Sequence, residues 1–213
     1  MNRGADARQK LVEAARDLFA EGGIEGASLR EITRAAGQGN TRALQYHFGD
    51  RSALLAAVLA PHQAHVDERR SLLVEELESR PGAADLRDVA GALVRPAAAM
   101  LQVEGGKAYL RIMAEIWRDP LRFSDAWRRF ERSLGRWREV AMRSMPEAVS
   151  PLHRRAAAIQ LCHNELGRRA ATRRRSDHRL FVSDLIDLTA GVLAAPVSEE
   201  TRRLLEERDA AKR

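Results

Sequence analysis

An all-helical fold is predicted by three features of this 213-residue chain. Ala, Leu, Arg and Glu dominate, and all four are strong helix formers. Apolar residues recur at three- and four-residue spacing, whereas the alternation of β-branched residues that marks strands is almost absent. Only 7 prolines and 14 glycines punctuate the chain. With 45% hydrophobic residues a substantial core can be buried, and with 31% charged residues the surface is well solvated. The length suits one large domain or two small ones.

Composition also excludes several classes. The single cysteine, Cys162, rules out an intramolecular disulfide and points to a reducing compartment. The start, MNRGADARQKLVEAA, has no apolar run of signal-peptide length. No run approaches the roughly 18 apolar residues of a membrane span. A cytoplasmic placement is expected. The net charge of +6 favours a polyanionic partner, but it does not locate one. Residues 1–60 hold eight Lys/Arg (Arg3, Arg8, Lys10, Arg16, Arg30, Arg34, Arg42, Arg51) and seven Asp/Glu (Asp6, Glu13, Asp17, Glu21, Glu25, Glu31, Asp50). The excess lies later, as at Arg168, Arg169 and Arg173 to Arg175.

The first helix is expected over Ala5 to Glu21, with Leu11, Ala14, Ala15, Leu18 and Phe19 on one stripe. Gly22-Gly23 ends it. Ser28 and Glu31 form a capping box that opens a second helix. Leu29, Ile32 and Ala36 make its buried face, with Arg30, Thr33 and Arg34 directed elsewhere. Gly37 stops it, Gln38-Gly39-Asn40 turns, and Asn40 or Thr41 caps a short third helix that buries Ala43, Leu44 and Phe48. Gly49 ends that helix and Asp50 caps the next. Helix, glycine-bearing turn and helix is the helix-turn-helix pattern, whose second helix enters the major groove. Thr41 and Arg42 stand at its N-terminal end, and a bidentate Arg–guanine contact discriminates by about 1–3 kcal/mol. Gln45, Tyr46 and His47 carry donors for phosphate oxygens. Ser28 sits at a helix N-terminus, which favours an anion.

LFAEGGIEGASLREI, AAG and QYHFGDRSALLAAVL together resemble the DNA-binding domain of TetR-type transcriptional regulators, over roughly residues 5–60. The resemblance implies that Ser28 and Arg30 also contact DNA, that the chain is a homodimeric regulator, most often a repressor, and that its C-terminal domain holds an effector pocket. The chain departs from the family pattern by one extra residue at Gln38-Gly39-Asn40. That leaves Asn40, Thr41 and Arg42 as alternative first entrants to the groove. A second departure is Gln45, where many members carry a tyrosine.

Beyond Asp50, Leu54, Leu55, Val58 and Leu59 continue as helix. Pro61 is expected to kink or interrupt it. Helix resumes to about Arg80, with Val66, Leu72, Leu73 and Leu77 apolar, and Pro81-Gly82 breaks it. Further helices are expected over Asp85 to Gln102 (disturbed at Pro96), Lys107 to Arg118, Ser124 to Met145, Leu152 to Thr172 and Asp177 to Leu193, with a charged tail helix after Ser198. This gives a helix-turn-helix DNA-binding domain over 1–60 and a helical effector-binding and dimerisation domain over 61–213.

Aromatic and Met residues cluster mid-chain. Met100, Tyr109, Met113, Trp117 and Trp127 are candidates to line a small-molecule pocket, with plain core as the competing reading. Leu152, Ala156, Ile159, His163 and Leu166, then Phe181, Leu185, Leu188 and Val192, alternate at four and three. That seam suits a four-helix dimer interface or an intrachain bundle. Val182, Ile186 and Leu193 suggest a second buried face. His62, His65 and Glu68 share a helix face but fit a solvated surface better than a metal site. No catalytic set, metal site or cofactor motif stands out. The expected partners are double-stranded operator DNA, a second copy of the chain and a small-molecule effector of unspecified identity. The alternative is an all-helical adaptor that has lost specific DNA binding.

Overall fold

The computed structural model describes residues 3–123, 132–146, 152–172 and 177–211. Every regular element among them is helical: α1 Arg3–Gly22, α2 Leu29–Ala35, α3 Arg42–Phe48, α4 Arg51–Ser79, α5 Leu86–Ala98, α6 Gly106–Arg118, α7 Arg132–Ser144, α8 Arg154–Ala171, α9 His178–Ala194 and α10 Glu199–Ala210. A 3-10 turn, Ala99–Gln102, extends α5 as the sequence anticipates. Trp127 and Arg173 to Arg175 lie outside the described residues.

The helices form two connected groups. α1, α2 and α3 pack together around Leu11, Phe19, Ile24, Ile32 and Leu44, all buried. In the larger group α6 packs on α8, α9 packs on α5, and α4 packs on α5 and α7. α1 belongs to both groups, because it touches α4 and α6 as well as α2 and α3. α10 buries none of its residues.

Three expectations are corrected. Pro61 does not interrupt α4, which runs unbroken for 29 residues and across the 60/61 boundary. A proline removes one intrahelical hydrogen bond; packing on both sides, from Leu54, Leu55, Val58 and Leu59 to Val66, Arg70, Val74 and Leu77, holds the flanking turns. Nor does Pro96 disturb its helix, since α5 runs continuously from Leu86 to Ala98. On α4 beyond Pro61 the apolar residues are divided. Leu72 faces outward, and the buried positions are Val66, Arg70, Val74 and Leu77. Thr33 is buried rather than turned away. Its hydroxyl donates to the Leu29 carbonyl at 2.6 Å, so its polar atom is satisfied inside the helix.

The expected seam divides between inward and outward positions. Ile159, His163 and Leu166 are buried on α8, which packs on α6, and Leu185 is buried on α9, which packs on α5. For these four residues the four-three spacing coincides with packing inside one chain. Ile186 and Leu193 join the same inward face of α9. Leu152, Phe181 and Val192 are only partly buried, Ala156 is exposed, and Leu188 is 51% exposed.

The α6–α8 crossing is close because Gly167 has no side chain. A Cβ there would collide with the Cβ of Ala114 and reach the Leu110 carbonyl oxygen at 3.3 Å. Gly167→Ala should therefore destabilise the fold by about 1–3 kcal/mol, overpacking outweighing the roughly 1 kcal/mol of helix propensity gained. A lowered Tm in thermal denaturation is the expected result, and a raised Tm would show that the two helices separate freely.

Candidate DNA-binding head and buried polar centre

The helix-turn-helix is built by local chemistry. Ser28 Oγ accepts from the Glu31 amide at 3.2 Å, and Glu31 accepts from the Ser28 amide at 2.8 Å. These bonds to Ser28 hold the Glu31 carboxyl below its ordinary range. Gly37, at φ +68°, closes α2 with Gln38 N–H to Thr33 O and Gly37 N–H to Arg34 O, both 3.0 Å. That bond pair is the Schellman ending, which favours glycine at the left-handed position.

At α3 the choice between Asn40 and Thr41 as cap is settled. Asn40 Oδ1 accepts from the Arg42 amide at 2.9 Å, whereas the Thr41 side chain makes no capping bond. Arg42 thus begins the helix, and its side chain is exposed. Tyr46, 85% exposed, lies one turn on, along the same outward face. Gln45 flanks them, Leu44 is buried behind, and Thr41 and His47 are half-buried at the edges. The Tyr46 and His47 rings meet edge to face at 5.2 Å. Ser28 and Arg30 are exposed on α2.

The near-neutral charge count of the head conceals a sorting of its charges. Lys10 pairs with Asp6 and Arg16 with Asp17. Arg8 lies over the Phe48 ring. Arg51 donates to the Ile24 carbonyl and covers Phe19. Among the described residues, the Arg30 and Arg42 side chains form no hydrogen bond or ion pair, and both lie on the helix-turn-helix. The uncommitted positive charge therefore sits where the sequence places the DNA contacts.

The Ile24 peptide ties the head to the body. Both oxygens of Glu115 on α6 accept from its N–H, at 3.1 and 2.9 Å, while its carbonyl is taken by Arg51 on α4. Arg122 reinforces the junction through Glu25 at 3.3 Å. Neither link is readable from sequence, because the partners stand 91 and 27 residues from Ile24. A cleft of about 440 Å³ opens beside this junction, between α1, α6 and α8.

Among the proposed pocket residues, Met100, Tyr109, Met113 and Trp117 are all buried. They adjoin a polar centre that sequence reasoning missed. Tyr109 OH donates to Gln63 Oε1 at 2.6 Å. The Ser133 hydroxyl donates to Asp67, and Arg70 Nη1 donates to Ser133 Oγ at 3.2 Å. His163 stacks on Trp117, centroids 5.5 Å apart and planes 13° from parallel. The detectable signal was Arg70 falling on the buried stripe of α4. His62, expected at the surface, packs on Tyr109 at 5.6 Å. No three potential metal ligands converge among the described residues.

A helix-turn-helix whose outward face carries the free arginines, mounted on a helical body, has the geometry of a head that enters the major groove. Residues 11–58 match the family described as bacterial regulatory proteins, tetR family. Over 67 residues the chain is 36% identical to the HTH-type transcriptional repressor AcnR of Corynebacterium efficiens, a stretch covering 32% of this chain and 35% of that one. AcnR of Corynebacterium glutamicum matches to the same extent. The match thus spans about a third of the length of these curated relatives. In fold, the chain is similar to a bacterial regulatory protein in the tetR family from Rhodococcus RHA1 (TM-score 0.60, 18% identity, 92% of this chain and 100% of that one). It is also similar to AmtR of Mycobacterium smegmatis (TM-score 0.56, 18% identity, 90% and 87% covered). These matches place a tetR-type helix-turn-helix at residues 11–58, and the solved structures share the fold of the chain as a whole.

Burial pushes the His163 imidazole down to about 3, with the nearby Arg70 charge adding to the effect. The folded state therefore excludes a proton that the unfolded chain takes up near the ordinary value of 6.5. Its contribution to stability is complete above that value and is lost as pH falls toward about 3. His163→Phe, which keeps a flat ring on Trp117, should flatten the fall of Tm with acid in this window. An unchanged slope would place the acid sensitivity elsewhere.

Proposed function

We propose that two copies of this chain bind a near-palindromic DNA operator and repress transcription, and that a small molecule taken up by the helical body weakens that binding. The observation that carries the first part is the face of α3. Arg42 and Tyr46 point outward from a helix capped by Asn40, with no internal partner for the Arg42 guanidinium. Asn40 has spent its carbonyl oxygen on the cap, which favours Arg42 as the first base-reading residue. The 36% identity to repressors over the head supports the sign of regulation. SmeT, a repressor of a multidrug efflux pump in Stenotrophomonas maltophilia, shares the fold (TM-score 0.54, 18% identity, 91% of this chain and 96% of that one).

The dimer reading rests on the outward residues of the seam on α9. α9 turns Leu180, 68% exposed, and Leu188 outward, beside half-buried Phe181, Val182 and Val192. Paired faces of this kind from two copies would set two heads about 34–36 Å apart, one turn of DNA, or a multiple of that spacing. Cytoplasmic action agrees with the absence, among the described residues, of any single helix long and apolar enough to cross a membrane.

The deciding experiment is a gel shift on DNA upstream of the chain's own gene across a salt series. Binding that weakens steeply with salt is expected, and no binding at low salt would favour the adaptor reading. Arg42→Ala should cost about 1–3 kcal/mol at one base pair per half-site and relax preference there, read by binding-site selection. Tyr46→Phe and His47→Ala should weaken all sequences alike. Leu188→Glu should convert the dimer to a folded monomer in sedimentation, and a dimer that survives it would move the interface off α9.

A further inference from the structure

Arg70 is only 2% exposed, yet its charge is poorly answered. The Asp67 carboxylate is 3.8 Å away, beyond hydrogen-bonding distance, and already accepts from Ser133. Ser133 supplies Arg70 with one neutral acceptor, at 3.2 Å. Nε of Arg70 has no partner, and neither has the buried Nδ1 of His163. A guanidinium offers five donors and stays charged in proteins, so a single neutral bond leaves most of its demand unmet. Leaving a buried charge under-compensated is costly, which suggests a site kept for an anion.

We propose that Arg70 receives the carboxylate of a small organic acid with a flat apolar body. This rests on the reading that the helical body takes a small molecule, and it names the chemical class. One guanidinium matches one negative charge. A doubly charged phosphate would bury excess charge beside Asp67, because Tyr109, His163 and Cys162 are all neutral here. The stacked Trp117–His163 pair supplies a flat wall, and Met100 and Met113 in the same core can repack around a guest. Arg70 also lies on α4, the helix that begins at the head, about 28 Å along its axis from Arg51. An anion drawn to Arg70 therefore acts on an element shared with the DNA-binding end.

The test uses the full chain without DNA. Its Tm is measured with benzoate, phenylacetate and 1-naphthoate, each against its uncharged amide. The acids should raise Tm with concentration and the amides should not. In Arg70→Met the acid effect should vanish, while the ligand-free protein stays as stable as wild type or becomes more stable. Asp67→Asn, which removes the competing carboxylate, should lower the ligand-free Tm and strengthen acid binding several-fold. Wild type unmoved by all three acids, or acid and amide acting equally, overturns the proposal. So does an Arg70→Met protein that is sharply destabilised or fails to fold, because Arg70 would then be satisfied by the fold itself. An acid that stabilises the protein without releasing DNA leaves the carboxylate site standing and defeats only the regulatory reading.

Discussion

The junction between reading head and body hangs on one peptide unit. Ile24 follows the glycine pair that closes α1, and its side chain is buried. Its N–H goes to Glu115 on α6 and its carbonyl to Arg51 on α4. A buried backbone group left unpaired costs as much as a lost hydrogen bond, so both long-range partners are held in place by the same need. The two short helices, α2 and α3, have only seven residues each. Helices this short are marginal in isolation and depend on packing. α1 supplies that packing, and the Ile24 peptide fixes the end of α1 against α4 and α6.

From this constraint a mechanical consequence follows. α4 begins at the Asp50 cap, passes Pro61 without a break and carries Arg70 within the body. A displacement of α4 at its body end has two routes to the head: along its own axis, and through α6 to Ile24. Both converge on the turn between α1 and α2. A ligand can exploit them only by binding two arrangements of the helices unequally. The head–body cleft lies beside the same turn, so the junction has space in which to shift.

Much of the head was legible because its signals are local. The Ser28–Glu31 box, the glycine stops at Gly37 and Gly49 and the Asp50 cap all act within a few residues, and each recurs as an observed bond or backbone angle. The body was legible in its helices but not in its faces. Four-three spacing on α8 identifies a packed stripe without naming the partner, and the partner proved to be α6 of the same chain. On α4 the phase was not legible, because Leu72 and Leu73 are adjacent leucines and only one face can be buried. Once Val66, Val74 and Leu77 are taken as the stripe, Arg70 stands out as the one charged member. Long-range pairings such as Glu115 with Ile24 leave no local signature at all.

Charge shows the same division between composition and arrangement. Counted along the sequence, the first sixty residues are nearly neutral, which argues weakly against a DNA reader. In the fold, Asp6, Asp17 and the Ile24 carbonyl occupy the basic groups on α1 and at the start of α4, and Phe48 takes Arg8. Among the described side chains, the arginines of the head left unengaged are on α2 and α3. An interface of this kind needs few free cations, because each phosphate neutralised releases counterions. Local placement, rather than the total, decides whether a polyanion is attracted to one face. On the proposed DNA-binding reading, a head without surplus charge would gain little from arbitrary DNA, and more of its affinity would come from contacts that read the base edges.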